Sequence, residues 1–427
     1  MHRLLACVAL LVVATTLSAQ QSWDPLSVDV TRALVKDLFQ SNAVPYVQPM
    51  VTTINATSNA GFYNTAYIPK KDSFYVKVSV RGMLGFIRDD QKTYNPTIDF
   101  GQPTDNLLTA VTQYGTVDLT NRTFVINPRY EDTLGLTTLL VREVFIEARK
   151  QGKFPLPTTA PTLFGYAPDT RVYLPPNDTL LAVLRTRPDY QTLVALVPNL
   201  DSNITALLSQ FALPPYLTLP PGADMSTLIA AVPQIELGSF LGTEILIRAI
   251  PPVEFDANVG DFSFWGLGLK HSISQYFPER WFDLAVQGVY QGTSLTNTVG
   301  FTGSKLEANA RIFSGNIHAS KRFGDYLDVY SGFSYERIDV VSTYTYVLPQ
   351  EVQIALGLLP TPPPGQPAVP TPEQPGDNRP QKSEVNVGDT NLKWTVGATA
   401  IVGPVRIFVD YSVSQFNIFS GGVEVGF

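Results

Sequence analysis

The sequence predicts an all-β protein, an antiparallel transmembrane β-barrel of about 10–14 strands with an N-terminal helical segment and a long Pro-rich insertion. Three observations lead there. The chain closes on two runs in which apolar and polar residues alternate. Only 16% of its residues are charged, whereas Tyr and Phe number 19 and 24, a balance suited to walls that face lipid. Beyond residue 19, no apolar run approaches the ~20 residues that a spanning helix needs. A chain that crosses a bilayer without helices must pair its backbone groups between strands and close the sheet, because hydrocarbon offers no other partner.

The clearest alternation lies between Pro404 and Phe427. Val405, Ile407, Val409, Tyr411 and Val413 share one face, opposite Arg406, Asp410 and Ser412 with Phe408 among them. Phe419, Val423, Val425 and Phe427 then share a face opposite Glu424. Period two is the strand period. A half-apolar strand ending on Phe427 resembles the signal that outer-membrane barrels present for insertion. Phe427 is therefore expected to act as a membrane-insertion signal, with outer-membrane lipid and the barrel-insertion machinery as partners. The plainer alternative is an edge strand of a soluble β-sandwich.

At the other end, His2 and Arg3 precede an apolar run from Leu4 to Leu17 and small residues at Ser18-Ala19. Residues 1–19 read as a signal peptide, and the expected localisation is the cell outer membrane. Cys7 is the single cysteine and falls in that segment. The exported chain is therefore expected to use no disulfide, thiol nucleophile or thiolate metal site. With 30 Lys+Arg against 37 Asp+Glu, it lacks the basic balance that nucleic acid requires.

Residues 20–72 read as a helical, plug-like segment. Asp24-Pro25 is a cap followed by a first-turn proline, and Val30, Leu34, Val35 and Leu38 continue a stripe toward Gln40. The bland reading is a helix packed on an apolar surface; the sharper one is a plug entering a barrel mouth. The barrel is expected over 73–427. In its first strand, Phe74, Val76, Val78, Val80, Leu84 and Phe86 alternate with Tyr75, Lys77, Ser79 and Arg81. If the apolar face meets lipid, Lys77, Ser79 and Arg81 line the lumen, where they either tune passage of a solute or fill it with a salt-bridged network. From Asp89 to about Leu237 strand grammar is weak. Leu134 to Arg149 is expected to add one or two strands, a short helical patch falls around Tyr190 to Phe211, and an insertion is expected over about 150–237. From Thr243 the alternation returns as six runs up to Val402, followed by the closing two. It is broken by a Pro-rich loop, 348–389, whose composition has no means to build a core.

With two to six strands before Thr243, an even total follows. If both barrel termini lie in the periplasm, the tight turn Val402-Gly403-Pro404 is periplasmic and the Pro-rich loop lies outside, in keeping with the barrel habit of short inner turns and long outer loops.

Several blocks are similar to a bacterial family, domain-of-unknown-function family 6588. They begin with Asn59-Ala60-Gly61-Phe62-Tyr63-Asn64-Thr65-Ala66 and continue with Gly242-Thr243-Glu244 through Arg248 and Pro251. The most specific runs from Phe264-Trp265-Gly266-Leu267-Gly268 to Ile273, followed by Phe282 to Val286. Asp410-Tyr411 and the stretch from Gly421 to Phe427 complete the set. The resemblance implies an outer-membrane barrel and carries no activity with it.

Nothing in the sequence assembles a catalytic centre. His271 and His318 are the histidines beyond residue 19, and neither accompanies a G-x-S-x-G or H-E-x-x-H pattern. No catalytic, metal or cofactor residue is assigned. The expected function is passage or binding of a small solute, apolar in character, by a non-enzymatic outer-membrane barrel. The alternatives are a structural or surface-interaction protein and, more remotely, a barrel-embedded hydrolase using His271.

Overall fold

A computed structural model describes residues 24–69, 74–104, 106–254, 261–277, 279–299 and 304–427. The expected signal peptide, residues 1–19, lies outside the described residues. Among those described, ten strands close into one antiparallel ring. They are β1 (Tyr75–Phe86), β2 (Thr227–Phe240), β3 (Thr243–Glu254), β4 (Asp261–Ser272), β5 (Asp283–Val299), β6 (Ser304–Phe323), β7 (Leu327–Tyr346), β8 (Gln381–Val402), β9 (Val405–Val413) and β10 (Ile418–Gly426). Each pairs with the next in the chain, and β1 closes the ring by pairing with both β2 and β10. The total is the lowest even number the sequence allowed.

Alternation along each strand separates two surfaces. Val78, Val80, Ile407, Val409, Tyr411, Phe419 and Val423 are exposed on the outside, while Lys77, Ser79, Arg81, Asp410 and Glu424 are buried within. An apolar outer band around a polar interior, with the ring closed, is the arrangement that hydrocarbon demands of a sheet. Among the described residues, no helix is long and apolar enough to cross a membrane.

The two ends differ. At one, β2–β3, β6–β7 and β8–β9 are joined by tight turns, and Gly403 takes the left-handed conformation (φ 61°) that its turn requires. Phe427 lies at this end, 80% exposed, its backbone exchanging hydrogen bonds with Val76. The connections 87–226, 347–380 and 414–417 lie at the other, which is called the loop end below. The wall is also uneven. β8 has 22 residues and β6 and β7 have 20 each, against 9 each for β9 and β10. A membrane strand needs about 9–11 residues, so β6 to β8 project beyond any bilayer at the loop end.

That projection is covered by a folded cap. The helix α1 (Pro25–Ser58) supplies Val30, Leu34, Val35 and Leu38 to its core. The connection between β1 and β2 supplies α2 (Leu107–Val111), α3 (Tyr130–Lys150), α4 (Asn177–Thr186), α5 (Pro188–Leu196) and α6 (Asn199–Gln210). Leu140, Val144 and Phe145 of α3 meet Leu180 and Leu184 of α4, Tyr190 of α5 and Ile204 of α6. Phe39 packs edge-on against Tyr346 at the top of β7, with ring centroids 4.9 Å apart.

Four expectations are corrected. Leu134 to Arg149 is helix, not strand. Leu136, Leu140, Val144 and Ala148 are buried four residues apart, with Glu131 and Asp132 in the first turn and Arg149 and Lys150 in the last, where the helix dipole favours them. The connection between β1 and β2 runs 87–226 rather than about 150–237, and its last expected residues belong to β2, a strand disguised by Pro233. β8 begins at Gln381, so the Pro-rich loop ends before residue 389. The start of that loop does reach a core: Val352 of the short α7 (Gln350–Ala355), with Leu348 before it and Leu358 after it, is buried in one cluster with α1 and the cap.

The lipid-facing assignment predicts that Val409→Arg, at a side chain 59% exposed, destabilises the protein folded into lipid vesicles by about 2–4 kcal/mol, whereas Val409→Leu changes little. Urea titration of the vesicle-embedded protein measures this. Equal stabilities would mean that β9 does not face lipid.

Candidate functional site

The site is the lumen and the element that fills it. α1 starts with the Asp24 carboxylate accepting from the N–H groups of Leu26 (3.2 Å) and Ser27 (2.9 Å), and Pro25 occupies the first turn. It runs 34 residues, to Ser58 rather than to Gln40, and tolerates Pro45 and Pro49 in its interior. At 1.5 Å per residue it is about 51 Å long. Its length follows β8 from top to bottom. Arg32 bonds to Asp377 and to the carbonyl of Arg379 just before β8 begins. Gln48 donates to the Gly388 carbonyl (3.3 Å) and Asn55 to Asp389 (3.0 Å). Below the helix, the Asn59 carbonyl accepts from Lys393 (2.7 Å) and that of Asn64 from Thr399 (2.9 Å). The chain therefore threads the barrel from the loop end to the turn end. There Asn64 donates to Glu424 (2.9 Å), and Ser239 donates to the Pro69 carbonyl (2.7 Å).

The lumen has two zones. Toward the loop end its wall is apolar. Met83, Val232, Phe264 and Ile418 pack with Ala56 on one side of α1, and Ile312, Ile338, Val340 and Val387 pack with Val51 on the other. Toward the turn end it is charged. Lys77 pairs with Glu244 and with Glu236 (3.3 Å), Lys270 with Glu244 (2.5 Å), and Lys393 with Glu336. Arg81 reaches Glu236 (3.2 Å) and Glu424 (2.9 Å). The change occurs within one inward residue on strand after strand: Met83 above Arg81, Val232 above Gln234, Ile250 above Arg248, Ile338 above Glu336 and Ile418 above Ser420.

Of the residues singled out from sequence, Lys77, Ser79 and Arg81 all point inward and are buried. Ser79 accepts from Arg81 Nε (3.0 Å), so the three belong to one ion-pair network rather than to an open channel wall. His271 lies at the turn end, its Nδ1 2.8 Å from Thr243 Oγ1 and its Nε2 2.9 Å from Tyr276 Oη. His318 is buried in the lumen and stacked on Tyr63, 3.9 Å between centroids. Among the described residues, no cluster of His, Cys, Asp or Glu could hold a metal ion.

Sequence reasoning missed the residues at the zone boundary. Arg248 is 1% exposed. Its Nη1 donates to the Ser58 carbonyl (2.9 Å), its Nη2 to those of Ala60 (2.8 Å) and Gly61 (3.2 Å), and its Nε to Gln234 Oε1 (2.7 Å). The Phe62 ring lies against its guanidinium, 4.5 Å away. Gly61, at φ 62°, passes beside two arginines: the Cβ position it leaves open would lie 3.6 Å from Arg81 Cβ and 3.8 Å from Arg248 Nη2. The available signal was the alternation Glu244, Leu246, Arg248 within one block, which places Arg248 on a lumen face but cannot name its partners.

The wall is weakest beside this point. The β2–β3 ladder runs from the turn as far as Gln234 opposite Arg248, and among the described residues no pair continues it. Above lie Pro233 on β2 and Pro251 and Pro252 on β3, which have no N–H to give. β2 continues paired to β1, and β3 to β4, so at the level of the apolar zone Val232 and Ile250 belong to one apolar cluster with no ladder pair joining their strands among the described residues.

The upper end of α1 is held by charge. Burial acts to raise the Asp377 carboxyl, but hydrogen bonds from Arg379 and Arg32 outweigh it and hold the group below its ordinary 3.8. A carboxylate depressed on folding stabilises the protein above its unfolded value, and that contribution is lost as pH falls through the lower folded value. Protection of the first turns of α1 against hydrogen exchange, corrected for intrinsic rate, should therefore fall as pH drops below about 3.8. Asp377→Asn should show reduced protection already at pH 6 and a flatter pH profile. An unchanged profile would remove the clasp from the account.

Comparison with known proteins adds the following. The chain aligns over 43% of its length with 93% of Ail, the attachment invasion locus protein of Yersinia pestis, at 8% identity and a TM-score of 0.21. It aligns over 93% of its length with 97% of a Pseudomonas aeruginosa FadL homologue, at 9% identity and a TM-score of 0.22. A mutant of the Rh. blastica porin aligns with 48% of the chain over 92% of its own, at 9% identity and a TM-score of 0.13. Superpositions this loose add nothing to the barrel described above. No curated protein matches the chain. Residues 1–427 match the family of unknown function DUF6588, and with the match spanning the whole sequence, the chain belongs to that family.

Proposed function

We propose that this outer-membrane barrel protein binds and passes a small apolar solute without catalysis, with α1 as a displaceable stopper. The loop end, with the cap, faces the cell exterior, and the tight turns and Phe427 face the periplasm. One observation carries the reading: the upper lumen is apolar where a water-filled pore would be polar, and what covers it is α1. Val51, Ala56 and their neighbours shield Ile312, Ile338, Phe264 and Met83 from water. α1 is held to the wall by side-chain hydrogen bonds such as Asn55 to Asp389, not by strand pairing. An apolar solute replaces the contacts that α1 makes there, at little cost in desolvation. Where the β2–β3 ladder stops, the two strands can part without breaking pairs, which would give such a solute a sideways route between this zone and the membrane. Lys77, Ser79 and Arg81 close the floor against ions.

Locking the stopper tests this. Asn55→Cys with Asp389→Cys, joined by a short cleavable thiol crosslinker, should abolish the gain in uptake of labelled decanol that the unmodified protein gives to cells expressing it. Cleaving the linker should restore uptake. Full uptake with α1 tethered would overturn the stopper role.

A further inference from the structure

We infer that Arg248 and Arg81 form a receptor for the anionic head of an amphiphile whose apolar body fills the upper lumen, and that the carbonyls at and just beyond the end of α1 occupy this receptor in the resting state. The inference rests on the reading of the lumen as a solute site and adds the chemical class of the solute.

Arg248 is a buried cation with no carboxylate within 4.0 Å among the described residues; neutral oxygens alone receive its donors. Burying a guanidinium without a counter-ion is costly. Here the cost is offset by the carbonyls of Ser58, Ala60 and Gly61, which gather at the C-terminal end of α1, where the helix dipole concentrates about half a negative charge. Arg81, 0% exposed, stands beside Gly61 two strands away from Arg248, and its Nη1 is buried with no hydrogen-bond partner. The two arginines thus stand two strands apart on one side of the lumen, Arg248 donating to the backbone segment and Arg81 keeping Nη1 unused while its Nη2 pairs with Glu236 and Glu424. Lys393 reaches the same segment at the Asn59 carbonyl.

A carboxylate, sulfate or phosphate presents several acceptor oxygens that match such forks and carries a whole charge. A free inorganic anion would leave the zone above unused. Immediately above the arginines stand Met83, Val232, Ile250 and Phe264. Head and body together define an anionic amphiphile. A cationic one is disfavoured by the same two arginines, and a neutral alcohol gains the apolar contacts alone.

The full-length protein in neutral detergent is dialysed against labelled decanoate, decanol or decyltrimethylammonium. Decanoate should bind at least about tenfold more tightly than decanol, the difference expected of one charge-assisted contact, and decyltrimethylammonium should bind no better than decanol. Arg248→Gln should erase the preference and Arg248→Lys should keep part of it, each checked for a heat-modifiable band. In the unsubstituted protein, decanoate but not decanol should speed hydrogen exchange at residues 58–62. This readout serves if Arg248→Gln does not fold. Equal binding of decanoate and decanol overturns the anionic head while leaving the apolar site standing. Binding of none of the three overturns both. A preference that survives Arg248→Gln, or decanoate binding without faster exchange at 58–62, also overturns the assignment.

Discussion

Closing a sheet of ten strands sets the constraint on which the rest of the molecule depends. Closure satisfies the backbone toward lipid but creates an interior that must be filled. An eight-stranded barrel is about narrow enough for side chains alone to fill it; a wider one leaves room for another element. In this chain that element is α1, with a helix diameter of about 10 Å including side chains, followed by the segment from Asn59 to Pro69. The filler and the wall complete each other. Asn64 satisfies Glu424, Ser320 binds the Ala66 N–H, and Arg248 and Lys393 bind the carbonyls that end the helix. Without the filler, each of these groups would face a cavity.

The cap follows from the same constraint. A helix about 51 Å long exceeds the height of the short wall formed by β9 and β10, so its first turns emerge above the barrel with Val30, Leu34 and Leu38 uncovered. The tall β6 to β8 wall shields one side. The connection between β1 and β2 folds into helices that bury the other, and Leu348 and Val352 of the Pro-rich loop complete the enclosure. Arg142 of α3 forks onto Asp37 of α1 (2.7 and 2.8 Å) and fixes the cap against the helix. A change in the cap therefore bears directly on how firmly α1 is held.

How far this was legible depends on the range of the interactions. The closing hairpin was readable residue by residue, because period-two alternation is written locally and lipid enforces it strictly. All eight runs from Thr243 onward appear as strands. β2 was hidden by Pro233, which argues locally against a strand and is tolerated where the ladder to β3 stops. α3 was misread because only the cap core makes its stripe meaningful. The lower half of α1 was hidden by Pro45 and Pro49, which would break an isolated helix at a cost of about 3 kcal/mol or more each and are held here by the surrounding wall. The site was least legible of all. Lys77, Ser79 and Arg81 could be placed on a lumen face, but Arg248 matters through carbonyls nearly two hundred positions away, a pairing that no local pattern records.

The chemistry of the latch also bears on whether the stopper can leave. Had α1 ended on a glutamate facing Arg248, a buried full ion pair would hold it, and breaking such a pair leaves an uncompensated charge at a cost of about 3–5 kcal/mol. The chain instead offers carbonyl dipoles, whose summed charge is about half of one unit, and places Gly61 where any larger residue would be strained at φ 62°. Partial charges satisfy Arg248 in the closed lumen, and under the proposed gating a ligand bearing a whole charge would displace them. The prolines act in the same direction, since a helix that depends on its surroundings gives up little intrinsic stability when it moves. A weakly latched, conditionally stable helix over an apolar chamber is a poor choice for a permanent plug and a suitable one for a gate.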